Sequence, residues 1–199
     1  MKIEKITLGN LRSNCYILSE NKNALIVDPG YESQDVINYV NSNDLNVEAI
    51  YITHCHFDHI GGVKQLKELY NPKVYAPRKD SMWIDNPSYN QLGYITPVDQ
   101  WVNEGDEIQF SSKTFIVYET PGHSPGSTVL YNDRVLFSGD TLFFQSIGRT
   151  DIPLSDSKII YQSVKKIYDL FDDDVIVYPG HGKPTSIFHE KNNNPFVRK

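Results

Sequence analysis

The chain has 199 residues, of which 39% are hydrophobic and 22% charged, and its net charge is −6. That length supports one domain whose core needs no disulfide staple. The acidic balance, in which the longest basic cluster is the pair Lys165-Lys166, excludes nucleic acid and anionic membrane as natural partners, and no apolar run reaches the roughly eighteen residues of a spanning helix.

The first residues, MKIEKITLGN, lack the apolar core of a secretion signal. Cys15 and Cys55 make no disulfide framework, which fits a cytoplasmic location. Ile3, Ile6 and Leu8, then Tyr16-Ile17-Leu18, then Ala24-Leu25-Ile26-Val27 read as short strands, the last closed by Asp28-Pro29-Gly30. Ser33 is placed to cap a helix with Val36, Ile37 and Val40 on its apolar face. EAIYIT is the next strand, apolar enough to be buried on both sides. A helix beginning near Gly61 presents Ile60, Val63, Leu66 and Leu69. Val74-Tyr75-Ala76 reads as strand, and residues 77–96 as an irregular surface loop or lid. Three or four strands are expected between Val98 and Phe137. A long helix from about Ser155 carries Ile160, Val164, Ile167 and Phe171, VIVYPG is a last strand, and the polar tail after Lys183 shows no element. The order of elements predicts an α/β fold with helices covering sheet faces and ligand sites in loops at strand carboxyl ends.

Four such places carry metal-binding side chains. They are His54-x-His56-x-Asp58-His59, His123 in TPGHSPGS, Asp140 in LFSGDT and His181 in VYPGHG. Glycine flanks every one of them, as a converging site requires. Residues two apart in extended chain point the same way, so His54 and His56 can face one ion. Seven nitrogen and oxygen ligands exceed the four of a tetrahedral zinc. They suit two cations about 3.5–4 Å apart. The expected division gives His54, His56 and His123 to one ion and Asp58, His59 and His181 to the other, with Asp140 bridging. Zinc is the first expectation for both, and iron or manganese also suits these ligands. Asp58 and Asp140 are the expected catalytic carboxylates.

Other features have plainer readings. Gly122-His123-Ser124-Pro125-Gly126 matches the serine-hydrolase elbow, but Pro125 has no N–H for the oxyanion hole and strand follows instead of helix. Cys55 points away from its neighbours and packs. Asp28 is read as a turn former first and as a carboxylate near the site second, and His189 as an ordinary core or surface residue. Arg149 and Asp151 are read either as loop-ordering residues or as a surface ion pair. Trp83, Tyr89 and Tyr94 in the loop 81–95 either line a cleft or pack.

The motif THCHFDH followed by GG, with His123, Asp140 and His181 in order, resembles the ligand signature of the metallo-β-lactamase superfamily over essentially the whole chain. The resemblance implies an αβ/βα four-layer sandwich with a dinuclear site at one edge. Within that superfamily, SGDTLFFQSIGRTDIP and YPGHGKPTSIFHEKNNNPF resemble the short bacterial glyoxalase II-like branch, the hydroxyacylglutathione hydrolases. Long members carry a C-terminal helical domain that helps bind glutathione. Residues 1–199 read as a single domain without it, so no glutathione-binding residue is carried over. Lactamases of this type often have Cys where Asp140 stands, and many lack the histidine of His59.

The expected activity is therefore hydrolysis of S-lactoyl-type thioesters by a metal-bound hydroxide, with a small-molecule thioester as the partner. A thiolate leaves without a dedicated acid, whereas an amide nitrogen needs one. The alternatives are a persulfide dioxygenase with one iron on His54, His123 and Asp140, and a non-catalytic metal-bound interaction protein.

Overall fold

Apolar runs separated by tight polar turns make the first three strands reverse on one another. The computed structural model describes residues 1–198 and places these strands as β1 (Lys2–Leu8), β2 (Ser13–Glu20) and β3 (Asn23–Val27). Helix α1 (Gln34–Ser42) starts where Ser33 Oγ accepts the Val36 N–H at 3.4 Å. It returns the chain to β4 (Asn46–Tyr51), parallel to β3. Then come α2 (Phe57–Ile60), α3 (Val63–Tyr70), β5 (Lys73–Pro77), a 3-10 turn at Arg78–Asp80, α4 (Ser81–Asp85) and β6 (Gln100–Val102). The six strands form one sheet in chain order.

The second half builds β7 (Glu107–Phe110), β8 (Lys113–Glu119), β9 (Thr128–Asn132) and β10 (Val135–Gly139). A two-stranded ribbon follows, β11 (Leu142–Phe143) with β12 (Ser146–Ile147). Helix α5 (Ser157–Leu170) is capped by the Asp156 carboxylate and leads to β13 (Ile176–Pro179), β14 (Thr185–Ser186) and α6 (Ile187–Asn193). The second sheet runs β14-β13-β10-β9-β8-β7, with β13 parallel to β10.

Three apolar clusters hold these layers together. Between the sheets, Leu18, Leu25 and Tyr51 of the first meet Phe110, Phe115 and Phe137 of the second. The outer face of the first sheet is covered by Val36, Val40, Val63 and Leu66 of the helices. Val164, Ile167 and Ile187 cover Val129, Leu136 and Val177 on the outer face of the second. The result is the αβ/βα sandwich expected from the sequence.

Several details differ from expectation. Five strands, not three or four, lie between residues 98 and 139. Residues 77–96 are not wholly irregular, because the 3-10 turn and α4 bury Asp80, Trp83 and Ile84. Leu69 is 54% exposed. A three-residue step falls about 60° short of a full helical turn, so two steps from Val63 carry Leu69 about 120° off the buried face. The polar tail forms α6, capped by Ser186 Oγ accepting from the His189 N–H. Its Glu190 is buried and accepts hydrogen bonds from the Gln145 N–H at 2.9 Å and the Thr185 hydroxyl at 2.6 Å. These hydrogen bonds offset the burial of its charge, and because their donors lie elsewhere in the chain the segment looks like a solvated tail in sequence.

Phe115→Ala opens a void between the two sheets. It is expected to cost about 3–5 kcal/mol. Urea unfolding should show a lower midpoint with an unchanged slope.

Candidate metal centre

The seven predicted side chains issue from strand carboxyl ends. His54 follows β4, His56 is the N-cap of α2, and Asp58 and His59 lie within that helix. His123 sits in the loop between β8 and β9, Asp140 directly follows β10, and His181 follows β13. All seven converge. His54, His56 and His123 form one group, Asp58, His59 and His181 a second, and His54, His59 and Asp140 a third, each with donor atoms mutually within 4.8 Å. Asp140 lies between the sets. Its Oδ1 is 3.5 Å from His59 Nε2, and its Oδ2 is 3.5 Å from His123 Nε2 and 3.4 Å from His181 Nε2. Asp58 Oδ2 is 3.3 Å from His181 Nε2.

The outer nitrogens of four imidazoles are held by the protein. His123 Nδ1 donates to the Arg149 carbonyl at 2.9 Å, and His181 Nδ1 to the Leu11 carbonyl at 3.1 Å. A carbonyl only accepts, so in both rings Nδ1 carries a proton and Nε2 is the nitrogen turned to the centre. Asp28 Oδ2 accepts from His59 Nδ1 at 3.0 Å and from the Thr53 hydroxyl at 2.7 Å. The same hydroxyl then accepts from His54 Nδ1 at 3.1 Å. His56 Nδ1 stands 3.0 Å from His123 Nε2. Among the described residues, His54 Nε2, His59 Nε2 and Asp140 Oδ1 are buried without a hydrogen-bond partner. Buried lone pairs left bare are costly unless a cation takes them. Imidazole and carboxylate donors together fit borderline divalent cations.

Three supporting features surround these side chains. Asp28 orders His59 as well as a turn. It holds φ +51, and its Oδ1 accepts the Thr53 N–H at 2.7 Å. Asp80 is buried and accepts from the Cys55 N–H, the Ser124 hydroxyl and the Gly126 N–H. It thereby ties the loop bearing His54 and His56 to the loop bearing His123, and it commits Ser124 to structure. At Gly180 a Cβ would run into Asp140 Oδ1 and crowd His59.

Charge divides the centre. Burial and the surrounding imidazoles hold His54 well below the ordinary histidine range. Burial and then His123 push His56 down to about 4. Burial also opposes charge on His59, but Asp140, Asp58 and Asp28 outweigh it and raise this ring to about 9. His181 is raised to about 10, because the hydrogen bonds that its protonated ring donates to Asp140 and Asp58 outweigh its burial. The same imidazoles overcome burial at Asp140 and hold its carboxyl below the usual carboxylate range. His59 and His181, with the carboxylates beside them, would hold a divalent cation only after giving up these protons.

The centre forms the floor of a cleft of about 610 Å³, walled by Phe57, Trp83, Tyr89, Phe143 and Ile147. Trp83 and Tyr89 thus line it. Tyr94 does not, and its hydroxyl donates to the Gly61 carbonyl at 2.9 Å. Arg149 and Asp151 form an exposed two-point ion pair at 2.7 and 2.9 Å, while the Arg149 carbonyl orients His123. Cys55 is a buried core residue, and His189 stacks on Phe144.

Comparison with known proteins follows the same lines. The family described as the metallo-beta-lactamase superfamily matches residues 8–181. The hydroxyacylglutathione hydrolase GloC of Haemophilus influenzae is 33% identical, covering 99% of this chain and 98% of that one. The crystal structure of the BLEG-1 B3 metallo-beta-lactamase is 37% identical, covers all of both chains and superposes with a TM-score of 0.91. TTHA1623 in a di-iron-bound form is 32% identical over 98% of this chain and all of that one, with a TM-score of 0.84.

Asp28→Asn keeps the shape and the left-handed backbone, which asparagine tolerates. It removes an acceptor that His59 and Thr53 share. Competition against a chelator should show metal affinity falling about 10–100-fold, with the far-UV circular dichroism spectrum unchanged.

Proposed function

We propose, from the premise that the chain belongs to the metallo-beta-lactamase superfamily, that it is a thioester hydrolase acting on S-lactoyl-type acyl thiols. In this reading His54, His56 and His123 hold one divalent cation, Asp58, His59 and His181 hold another, and Asp140 touches both. Ions held there supply Lewis acidity and a hydroxide nucleophile at neutral pH. Zinc heads the choice for these ligands. Iron is supported by the di-iron relative, and manganese is also compatible.

The observation that carries the reading is the set of imidazoles whose outer nitrogens are tied and whose inner nitrogens converge beneath the cleft. Catalysis depends on such positioning more than on any single contact. Asp58 and Asp140 keep their negative charge at neutral pH, which fixes the cations that they face. Phe57, Trp83, Phe143 and Ile147 exclude water around the scissile carbonyl. An expelled thiolate takes no proton on leaving. An amide nitrogen must be protonated, and the imidazoles of the floor are committed to ligand duty. The likeness to GloC over nearly the full length of both chains supports this substrate class. The acidic balance and the two buried, unpaired cysteines support a small-molecule substrate in the cytoplasm.

A second reading, β-lactam hydrolysis, rests on the likeness to the BLEG-1 enzyme. The two readings separate in one assay, in which protein loaded with zinc, iron or manganese is offered an S-lactoyl thioester and a chromogenic cephalosporin. Turnover of the thioester and not of the cephalosporin is expected, and the reverse result overturns the thioesterase assignment.

Asp58→Ala should lower kcat/KM for the thioester by about a hundredfold or more while the circular dichroism spectrum stays unchanged. Unchanged turnover in that variant rules out the two-cation arrangement. Metal analysis should return two ions per wild-type chain, and well under one per chain contradicts the assignment of both ligand sets.

A further inference from the structure

In a chain of net charge −6, basic side chains collect beside the cleft. A second cavity of about 300 Å³ is lined by Lys5, Arg12 and Lys183 together with Asn14, and no carboxylate lines it. Among the described residues none of these three cations takes part in an ion pair, although most lysines with a partner in reach do so elsewhere on the surface. One of the cations is tied to the loop that carries His181. Lys5 Nζ donates to the Gly182 carbonyl at 3.2 Å. Lys183 Nζ stands 3.6 Å from the centre of the Phe144 ring. Arg12 holds φ +58 in the turn between β1 and β2. Asn14 pins that turn to the His181 loop, its backbone N–H donating to the Gly180 carbonyl at 2.7 Å and its Nδ2 to the Gly182 carbonyl at 2.9 Å.

The two cavities adjoin. Leu11 and His181 line both. The imidazole of His181 spans the boundary, with Nδ1 on the Leu11 carbonyl and Nε2 3.3 Å from Asp58. A ligand over the centre therefore has a cationic chamber one side chain away. The larger cleft is walled by Phe57, Trp83, Phe143 and Ile147, which suits an acyl group, whereas Lys5, Arg12 and Lys183 border the smaller chamber.

We propose that this chamber is an anion subsite that takes carboxylate or phosphate groups on the thiol arm of an acyl thioester. The inference rests on the thioesterase reading. A lactoyl group carries no charge, so an anion in the substrate belongs to the thiol. The subsite makes Lys5, Arg12 and Lys183 specificity-determining residues and favours an acidic thiol over a neutral one.

The test compares lactoyl thioesters of glutathione, coenzyme A and N-acetylcysteamine, using metal-loaded wild-type protein and the triple variant Lys5→Gln, Arg12→Gln, Lys183→Gln. All three residues are exposed, and circular dichroism checks the fold. Exposed cations act weakly one at a time, about threefold each, so the triple variant should raise KM for an anionic thioester about tenfold or more. The increase should exceed that for the N-acetylcysteamine thioester by the same order, and added salt should raise the wild-type KM toward that of the variant. A shift confined to the glutathione substrate assigns the subsite to carboxylates, and one confined to the coenzyme A substrate assigns it to phosphates. Equal shifts on all three substrates, or none, overturn the proposal. If wild-type protein hydrolyses none of them, the thioesterase reading fails, and calorimetric titration with S-methylglutathione and S-ethyl-coenzyme A decides the subsite separately. Weaker binding to the triple variant upholds it, and equal or absent binding rejects it.

Discussion

An imidazole can present a lone pair inward only when its other nitrogen carries a proton with somewhere to go. The centre depends on that constraint. The Leu11 carbonyl holds His181 across 170 residues of sequence, the Arg149 carbonyl holds His123 across 26, and Asp28 holds His59 across 31. Each tie crosses from one structural element to another. The ring orientations are therefore consequences of how the sheets and loops meet. The turn between β1 and β2 is the clearest case. It contributes none of the seven side chains, yet it sets the ring orientation of His181.

The same ties manage the electrostatics. Asp28, Asp58 and Asp140 are all buried, and three carboxylates taken out of water this close together need positive charge nearby. Raised affinities for protons at His59 and His181 are the sign of that demand. On the other side His54 and His56 are held neutral by burial and by the imidazoles around them, His59 and His123 among them. One half of the centre thus presents bare nitrogens and the other concentrated negative charge. Both arrangements favour a cation over a proton when one is available.

Much of this was legible in the sequence. The side chains His54, His56, Asp58, His59, His123, Asp140 and His181 are distinctive residue types in glycine-flanked loops, and the apolar periodicity placed the strands before them. The partners of those side chains were harder to see. A backbone carbonyl such as that of Leu11 or Arg149 has no sequence signature, because every residue has one. Asp28 did have a signature, but Asp-Pro-Gly is also what an ordinary turn looks like, and only its distance to His59 separates the two roles. The α6 segment was hidden for a related reason: Glu190 is buried only because Gln145, Thr185 and Asn194 reach it from elsewhere.

Glycine at 180 shows how tightly the second sheet is fitted to this purpose. Strands β10 and β13 run parallel, and the Gly180 N–H donates to the Gly139 carbonyl at 2.8 Å, so Asp140 and His181 leave the sheet side by side. The register slips between Phe137 and Gly139, and Gly139 itself takes φ +47. A slip of this kind turns the next side chain out of the pleat. Here that side chain is Asp140, swung sideways over the neighbouring strand, across the space where a Cβ at position 180 would stand. A carboxylate between two sets of imidazoles thus requires an irregularity in one strand and a missing side chain in the next. A regular strand at Gly139 and a side chain at position 180 would each deny Asp140 that place.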